Sequence, residues 1–256
     1  MVTGAVLAAC GSPGGTAPPG SAAALARIHQ AVARTEAAGT AHLVDVSDTR
    51  STLGGTSTHP ASEDSLTVVG DLRFAGPDLS LTTTSRSTLP ATSTAPGAPS
   101  TTTSTTSSQS IYLGRHLYVR PLPGPGWNEL PVRTPYAYLG AVPARFLETA
   151  HGPVTDAGRH EIDGRATTEY LVPVPRSEYD AKLTDSHNRA YTARFTTAPF
   201  TLSVWLDGTG RIVRTSGTEV ITSERPRGTV HETVSASLSA FGEPVHIVAP
   251  ATTIRS

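Results

Sequence analysis

The stretch FTLSVWLDGTGRIVRTSGTEVI, Phe200 to Ile221, repeats with a period of two on both sides of a tight turn. Phe200, Leu202, Val204 and Leu206 share one side of that period, which is the mark of a strand with one buried face. Asp207-Gly208 closes the turn, and Ile212 and Val213 open the returning strand. A turn of this composition between two alternating runs predicts an antiparallel hairpin. Downstream, a further turn near Pro226 to Gly228 leads into Val230, Val234, Ala236 and Leu238, again at alternate positions. The run ends at Phe241-Gly242-Glu243-Pro244.

Working back towards the N-terminus, the same signals recur. Arg159-His160-Glu161-Ile162, Asp163-Gly164 and Ala166 to Val174 read as a second hairpin. Ile111-Tyr112-Leu113, Gly114-Arg115 and Leu117-Tyr118-Val119 read as a third, followed by a loop from Pro121 to Gly126 and then Trp127. Nearer the start, Leu79 and Leu81 follow the turn Gly76-Pro77-Asp78, and Leu66, Val68, Leu72 and Phe74 precede it. His42, Val44 and Val46 are read as the buried side of the first strand. Helical spacing appears in three places. Ser21 caps a run with Leu25, Ile28 and Val32 on one side, and Gly39 ends it. A short helix is predicted over Tyr136 to Ala150, broken or restarted at Pro143, and the polar Ser177 to Arg194 is read as partly helical.

These readings predict an α+β domain that is mainly β. About nine to eleven strands follow one another in consecutive antiparallel hairpins, with an N-terminal helix and one or two internal ones. A single domain over residues 21–256 is expected, preceded by a leader and flexible tether over residues 1–20. Ser85 to Ser110 is almost wholly Ser, Thr, Pro, Ala and Gly, with no apolar face, and is expected to be a disordered excursion.

Composition supports strands over packed helices. Only 37% of residues are hydrophobic and 16% charged, the balance having gone to Thr, Ser, Gly and Pro. A formal charge of −1 with no basic run gives no reason to expect nucleic acid. The single cysteine, Cys10, excludes an internal disulfide and a cysteine-based metal site. Its setting is informative. Leu7-Ala8-Ala9 precedes it, and a Gly, Pro, Ser, Thr and Ala tether follows from Gly11 to Gly20. This resembles the lipobox of bacterial lipoprotein precursors, which implies that Cys10 takes diacylglycerol and anchors the chain to the outer face of the cell membrane. Met1 to Ala9 has no Lys or Arg and little apolar length, so the natural start is expected upstream.

Four segments, in order, are similar to the actinobacterial LppX/LprAFG lipoproteins, whose architecture is shared with LolA-like carriers. They are Ile111 to Trp127, the hairpin around His160 to Tyr170, Val204 to Val213, and Phe241 to Val245. The resemblance implies a curved antiparallel half-barrel sheet, with the N-terminal helix and one or two helices over the concave face. It also implies an apolar cavity that holds acyl chains, and a role in carrying or presenting a lipid or lipid-linked glycan in the cell envelope. The residues expected to line the cavity are Val44, Val46, Leu72, Phe74, Leu81, Leu202, Val204, Val234 and Leu238, with Ile28 and Val32 as a lid. The alternatives are a filled core, an accessory or sensor lipoprotein acting by protein contact, and a glycosylated Ser/Thr-rich spacer.

Catalytic patterns are missing from the sequence. There is no Gly-x-Ser-x-Gly elbow, no phosphate-binding glycine loop, and no metal-ligand spacing among the nine histidines. The chain reads as a non-enzyme with no cofactor. His231 and Glu232 are expected to face opposite ways on a strand. Glu232 interrupts an apolar face, and is expected at a sheet edge in water or, less simply, at a headgroup in the cavity mouth.

Overall fold

The computed structural model describes residues 19–52, 62–76, 78–90, 101–131, 147–148, 150–174, 195–197, 200–224 and 227–255. Cys10, most of the segment 136–150 and the segment 177–194 lie outside these residues.

Helix α1 (Pro19–Ala37) starts two residues before the expected cap, with Pro19 in the first turn, where its missing N–H and fixed φ are best tolerated. Ser21, Ala24, Ile28, Ala31, Val32 and Thr35 are all buried, a stripe at three- and four-residue spacing. Gly39, at φ 81°, takes the left-handed conformation that ends the helix. The Thr35 hydroxyl donates to Ala31 O at 2.7 Å and accepts the Ile212 N–H at 2.9 Å, tying the helix to the sheet.

Among the described residues all thirteen strands belong to one open, curved sheet. The first half is β1 (Thr40–Ser51), β2 (Ser62–Arg73), β3 (Asp78–Pro90), β4 (Thr101–Leu113), β5 (His116–Leu122) and β6 (Trp127–Pro131). The second half is β7 (Thr155–Ile162), β8 (Arg165–Val174), β9 (Phe195–Thr197), β10 (Phe200–Asp207), β11 (Ile212–Glu224), β12 (Arg227–Ser239) and β13 (Thr253–Arg255). Eleven have five residues or more, and β9 and β13 have three each. The order is β13-β6-β5-β4-β3-β2-β1-β12-β11-β10-β8-β7, with β9 beside β11. Every pairing is antiparallel except that of β13 with β6. The β1–β12 pairing joins the two halves and is the long-range step that closes the fold.

Turn chemistry sets the hairpins. Asp163 and Gly164, at φ 52° and 74°, give the two left-handed positions of a tight β7–β8 turn. At the β10–β11 turn, Asp207 Oδ1 accepts the Thr209 N–H (2.9 Å), the Thr209 hydroxyl (2.6 Å) and the Arg211 N–H (3.0 Å). Its Oδ2 accepts the Arg211 guanidinium at 2.9 and 3.1 Å. Burial alone would raise the pKa of this carboxyl. The hydrogen bonds from Thr209 and Arg211 outweigh it and hold the group below the usual carboxylate range. Arg211 also lies 4.4 Å over the Phe241 ring, which fixes the turn to the C-terminal segment.

The expectation of disorder over 85–110 fails wherever that segment is described. Ser85 to Pro90 complete β3, and Thr101 to Ser110 form most of β4, in register from Leu79 with Tyr112 to Pro90 with Thr101. Residues 91–100 lie outside the described residues. The far part of β4, from Thr101 to Thr106, is exposed, so burial does not hold it. Backbone pairing, β-branched threonine and hydroxyl pairs such as Thr84 with Ser107 (3.3 Å) and Thr88 with Thr103 (3.2 Å) do.

From β12 the chain crosses β1 to β5 before adding β13 beside β6. It is anchored on β1, where the Thr40 hydroxyl donates to Glu243 O at 2.7 Å and the Gly242 N–H donates to Thr40 O at 3.0 Å.

Candidate functional site on the inner face

Strand periodicity sorts the sheet into two faces, and α1 marks the inner one. Across the strands the inner residues form rows that change in character along the barrel. Nearest the C-terminal end of α1, one row runs through Leu117, Tyr112, Leu79, Leu72 and Ala41, all buried. The next contains Val119, Ser110, Leu81, Gly70, Leu43 and, on β12, Leu238. Gly70 is required there, because a Cβ would collide with the backbone of Ser80 and Leu81.

The third row passes through Thr83, Val68, Asp45, Ala236, Thr215, Val204 and Tyr170. In the fourth, Leu66, Ser47, Val234, Gly217, Leu202 and Val172 lie side by side. The fifth is polar, with Asp64, Thr49, Glu232 and Glu219. The inner face therefore grades from a closed apolar core to an acidic far end.

Two features give this face chemical character. First, apolar surface is left open beyond the core. Leu66 is 38% exposed, while Leu202, Val234 and Val119 are half-buried. Second, polar groups stand in the wall. Asp45 Oδ1 and the Tyr112 hydroxyl are buried and have no hydrogen-bond partner among the described residues. Burial, followed by the nearby Glu232 carboxylate, pushes the Asp45 carboxyl up to about 6. Glu232 accepts the Ser47 hydroxyl at 2.9 Å. Burial also raises the Tyr112 phenol.

Of the expected wall residues, Leu72, Phe74, Leu81, Val204 and Leu238 belong to the buried core cluster, as do Ile28 and Val32 from the helix. Leu202 and Val234 lie in the fourth inner row and are half-buried. Val44 and Val46 are on the opposite face: Leu43 is fully buried and Val44 is 36% exposed. The register of β1 is thus one residue away from the expected one. Its inner positions are Ala41, Leu43, Asp45 and Ser47, and the polar half of that set made the valines look like the buried side.

Glu232 also differs from its expected place. Its strand lies between β1 and β11, so it is central rather than at an edge, and its side chain is on the inner face. His231 faces the other way, as expected. Leu66 was visible as part of an alternating run. Asp45, Ser47 and Glu219 gave no signal, because their meaning depends on strands distant in sequence. Among the described residues no group of His, Cys, Asp and Glu could hold a metal ion, and no helix is long and apolar enough to cross a membrane.

No family model matches the chain, and no curated protein matches it. Solved structures do. LprF from Mycobacterium bovis aligns over 93% of this chain and 100% of its own, at 14% identity and a TM-score of 0.46. The lipoprotein LppX of Mycobacterium tuberculosis aligns over 89% and 99%, at 16% identity and a TM-score of 0.48. A putative outer membrane lipoprotein-sorting protein domain from Vibrio parahaemolyticus aligns over 86% and 94%, at 11% identity and a TM-score of 0.22.

Proposed function

We propose that the protein is a lipid-anchored envelope protein that binds a lipid or lipid-linked glycan on the inner face of its sheet and carries or presents it. The observation that carries this reading is the partly exposed apolar strip of Leu66, Val234 and Leu202, which continues the core outward on the same face. Acyl chains need a dry apolar wall, whereas unpaired polar groups in such a wall are costly. Among the polar groups of the inner face, Asp45 lies in the third row, Ser47 sits between Leu66 and Val234 in the fourth, and the carboxylates gather in the fifth row beyond. Such a gradient suits an amphiphile, with chains on the apolar rows and a hydroxyl-bearing headgroup towards the carboxylates. The lipobox at Cys10 supplies the anchor in this reading, and its diacylglyceryl group is a two-chain tether.

Val234 is the informative position, since Val204 is fully enclosed and Val234 is only half-buried. Val234→Trp is expected to keep a near-normal melting temperature and to lose co-purifying lipid, measured by mass spectrometry of organic extracts from protein purified from its native envelope. A fall in stability of about 1–3 kcal/mol, the cost of overpacking, together with no lipid in the parent protein, would reject the carrier reading. For the anchor, Cys10→Ala in the full precursor is expected to move the protein from the membrane to the soluble fraction. Retention of the alanine variant on membranes through a carbonate wash would count against acylation.

A second reading, an accessory lipoprotein acting by protein contact, is favoured by Val44 and Val69. They pair across β1 and β2 on the outer face, each 36% exposed. Lipid-free protein from the native envelope would move the balance to this reading.

A further inference from the structure

On the face away from α1, the far end of the sheet forms an open groove of about 880 Å³. Its floor is two cross-strand rows spanning five strands. One row is Arg86, Ser65, Asp48, Thr233 and Thr218, aligned in register from β3 through β2, β1 and β12 to β11. In the adjacent row, Glu63, Arg50 and His231 stand side by side, and Arg50 bonds Glu63 at 3.0 Å. Neighbouring strands are 4.7–4.9 Å apart, so five of them make a floor about 19 Å long. No aliphatic or aromatic hydrocarbon side chain lines it.

We propose that this groove binds an uncharged, hydroxyl-rich glycan chain. The site is distinct from the inner face and does not rest on the lipid reading. Three properties of the lining select this ligand. Hydroxyls, carboxylates and guanidinium groups alternate along the floor, offering both acceptors and donors to successive sugar hydroxyls. On this face charge is balanced, with Arg50 and Arg86 against Asp48 and Glu63, so a polyanion gains no net attraction over a neutral chain. An extended peptide is disfavoured because β1, β2, β3, β11 and β12 are each paired on both sides. They leave no free edge for an added strand, and the groove has no apolar pocket to read side chains.

The test is affinity electrophoresis of the acylated full-length protein in detergent, through native gels containing mannan, arabinan, dextran or, as the polyanion, dextran sulfate. Retardation by at least one neutral polymer is expected. Asp48→Ala and Thr233→Trp should each weaken it about tenfold or more, while Thr201→Trp, at an exposed site outside the groove, should leave it unchanged. Asp48 and Thr233 are themselves exposed, so folding should survive both changes, and circular dichroism melts check this. Absence of retardation in every neutral gel overturns the proposal. So does retardation by dextran sulfate alone, or retardation that both groove variants leave intact.

Discussion

Leu43→Ala is expected to cost about 3 kcal/mol of folding stability, while Val44→Ala next to it should cost less than about 1 kcal/mol. Leu43 is fully buried in the core cluster, opposite Leu238 on β12 and Gly70 on β2. Removing its side chain forfeits the transfer free energy of the lost carbons and leaves a cavity that a paired, central strand cannot collapse to fill. Val44 lies on the outer face and keeps water contact. Equilibrium urea unfolding followed by circular dichroism gives both values. If alanine at 44 proves the more costly change, the face assigned to β1 is inverted, and the inner-row site falls with it, because a one-residue slip exchanges the two faces.

The second large effect is pH-dependent. In the folded protein the Asp45 carboxyl titrates near pH 6, above its ordinary value of 3.8. Well below its ordinary value it is protonated in both folded and unfolded chains, and the stability of the protonated form is fully present. As the pH rises, the unfolded chain ionises first, while the folded chain must carry a buried charge facing Glu232. Stability contributed by the protonated form is therefore lost between about pH 4 and pH 7, by up to about 3 kcal/mol. Asp45→Asn removes that titration. The stability difference between variant and parent should shift in the variant's favour by up to about 3 kcal/mol from pH 4 to pH 7. Comparing the two pH values cancels any constant effect of the amide. Parallel stability profiles across that range would show that Asp45 is solvated and that the inner wall is wet at this point.

These two residues also bear on the proposed site. Leu43 belongs to the closed part of the inner face, and Asp45, two positions along the same strand, stands where the face turns polar. A headgroup that donates hydrogen bonds would satisfy the buried Asp45 Oδ1, which has no partner among the described residues. Ligand binding and the protonation of Asp45 would then be linked, since whatever stabilises the ionised form lowers its pKa.

Much of the local structure was legible in the sequence. The period of two with turn residues at Asp163-Gly164 and Asp207-Gly208 set the hairpins, because side-chain alternation and turn chemistry are local properties. In the second turn, though, it is Gly210, at φ 78°, that takes the left-handed position. Likewise the spacing of Ile28 and Val32, with Gly39 beyond, set the buried stripe and the end of α1. Three things were decided only by tertiary structure. The face of β1 was one: its inner side mixes Ala41 and Leu43 with Asp45 and Ser47, and only pairing with β2 and β12 shows which side is covered. The state of the Ser/Thr-rich segment was another, since β3 and β4 hold it by backbone pairing rather than by a buried face that composition could reveal. The third was the arrangement of both surfaces. Asp45 near Glu232, and Arg86 in a row with Thr218, come together because strands far apart in the chain lie about 5 Å apart in the sheet, and the period of one strand carries no record of its neighbour's register.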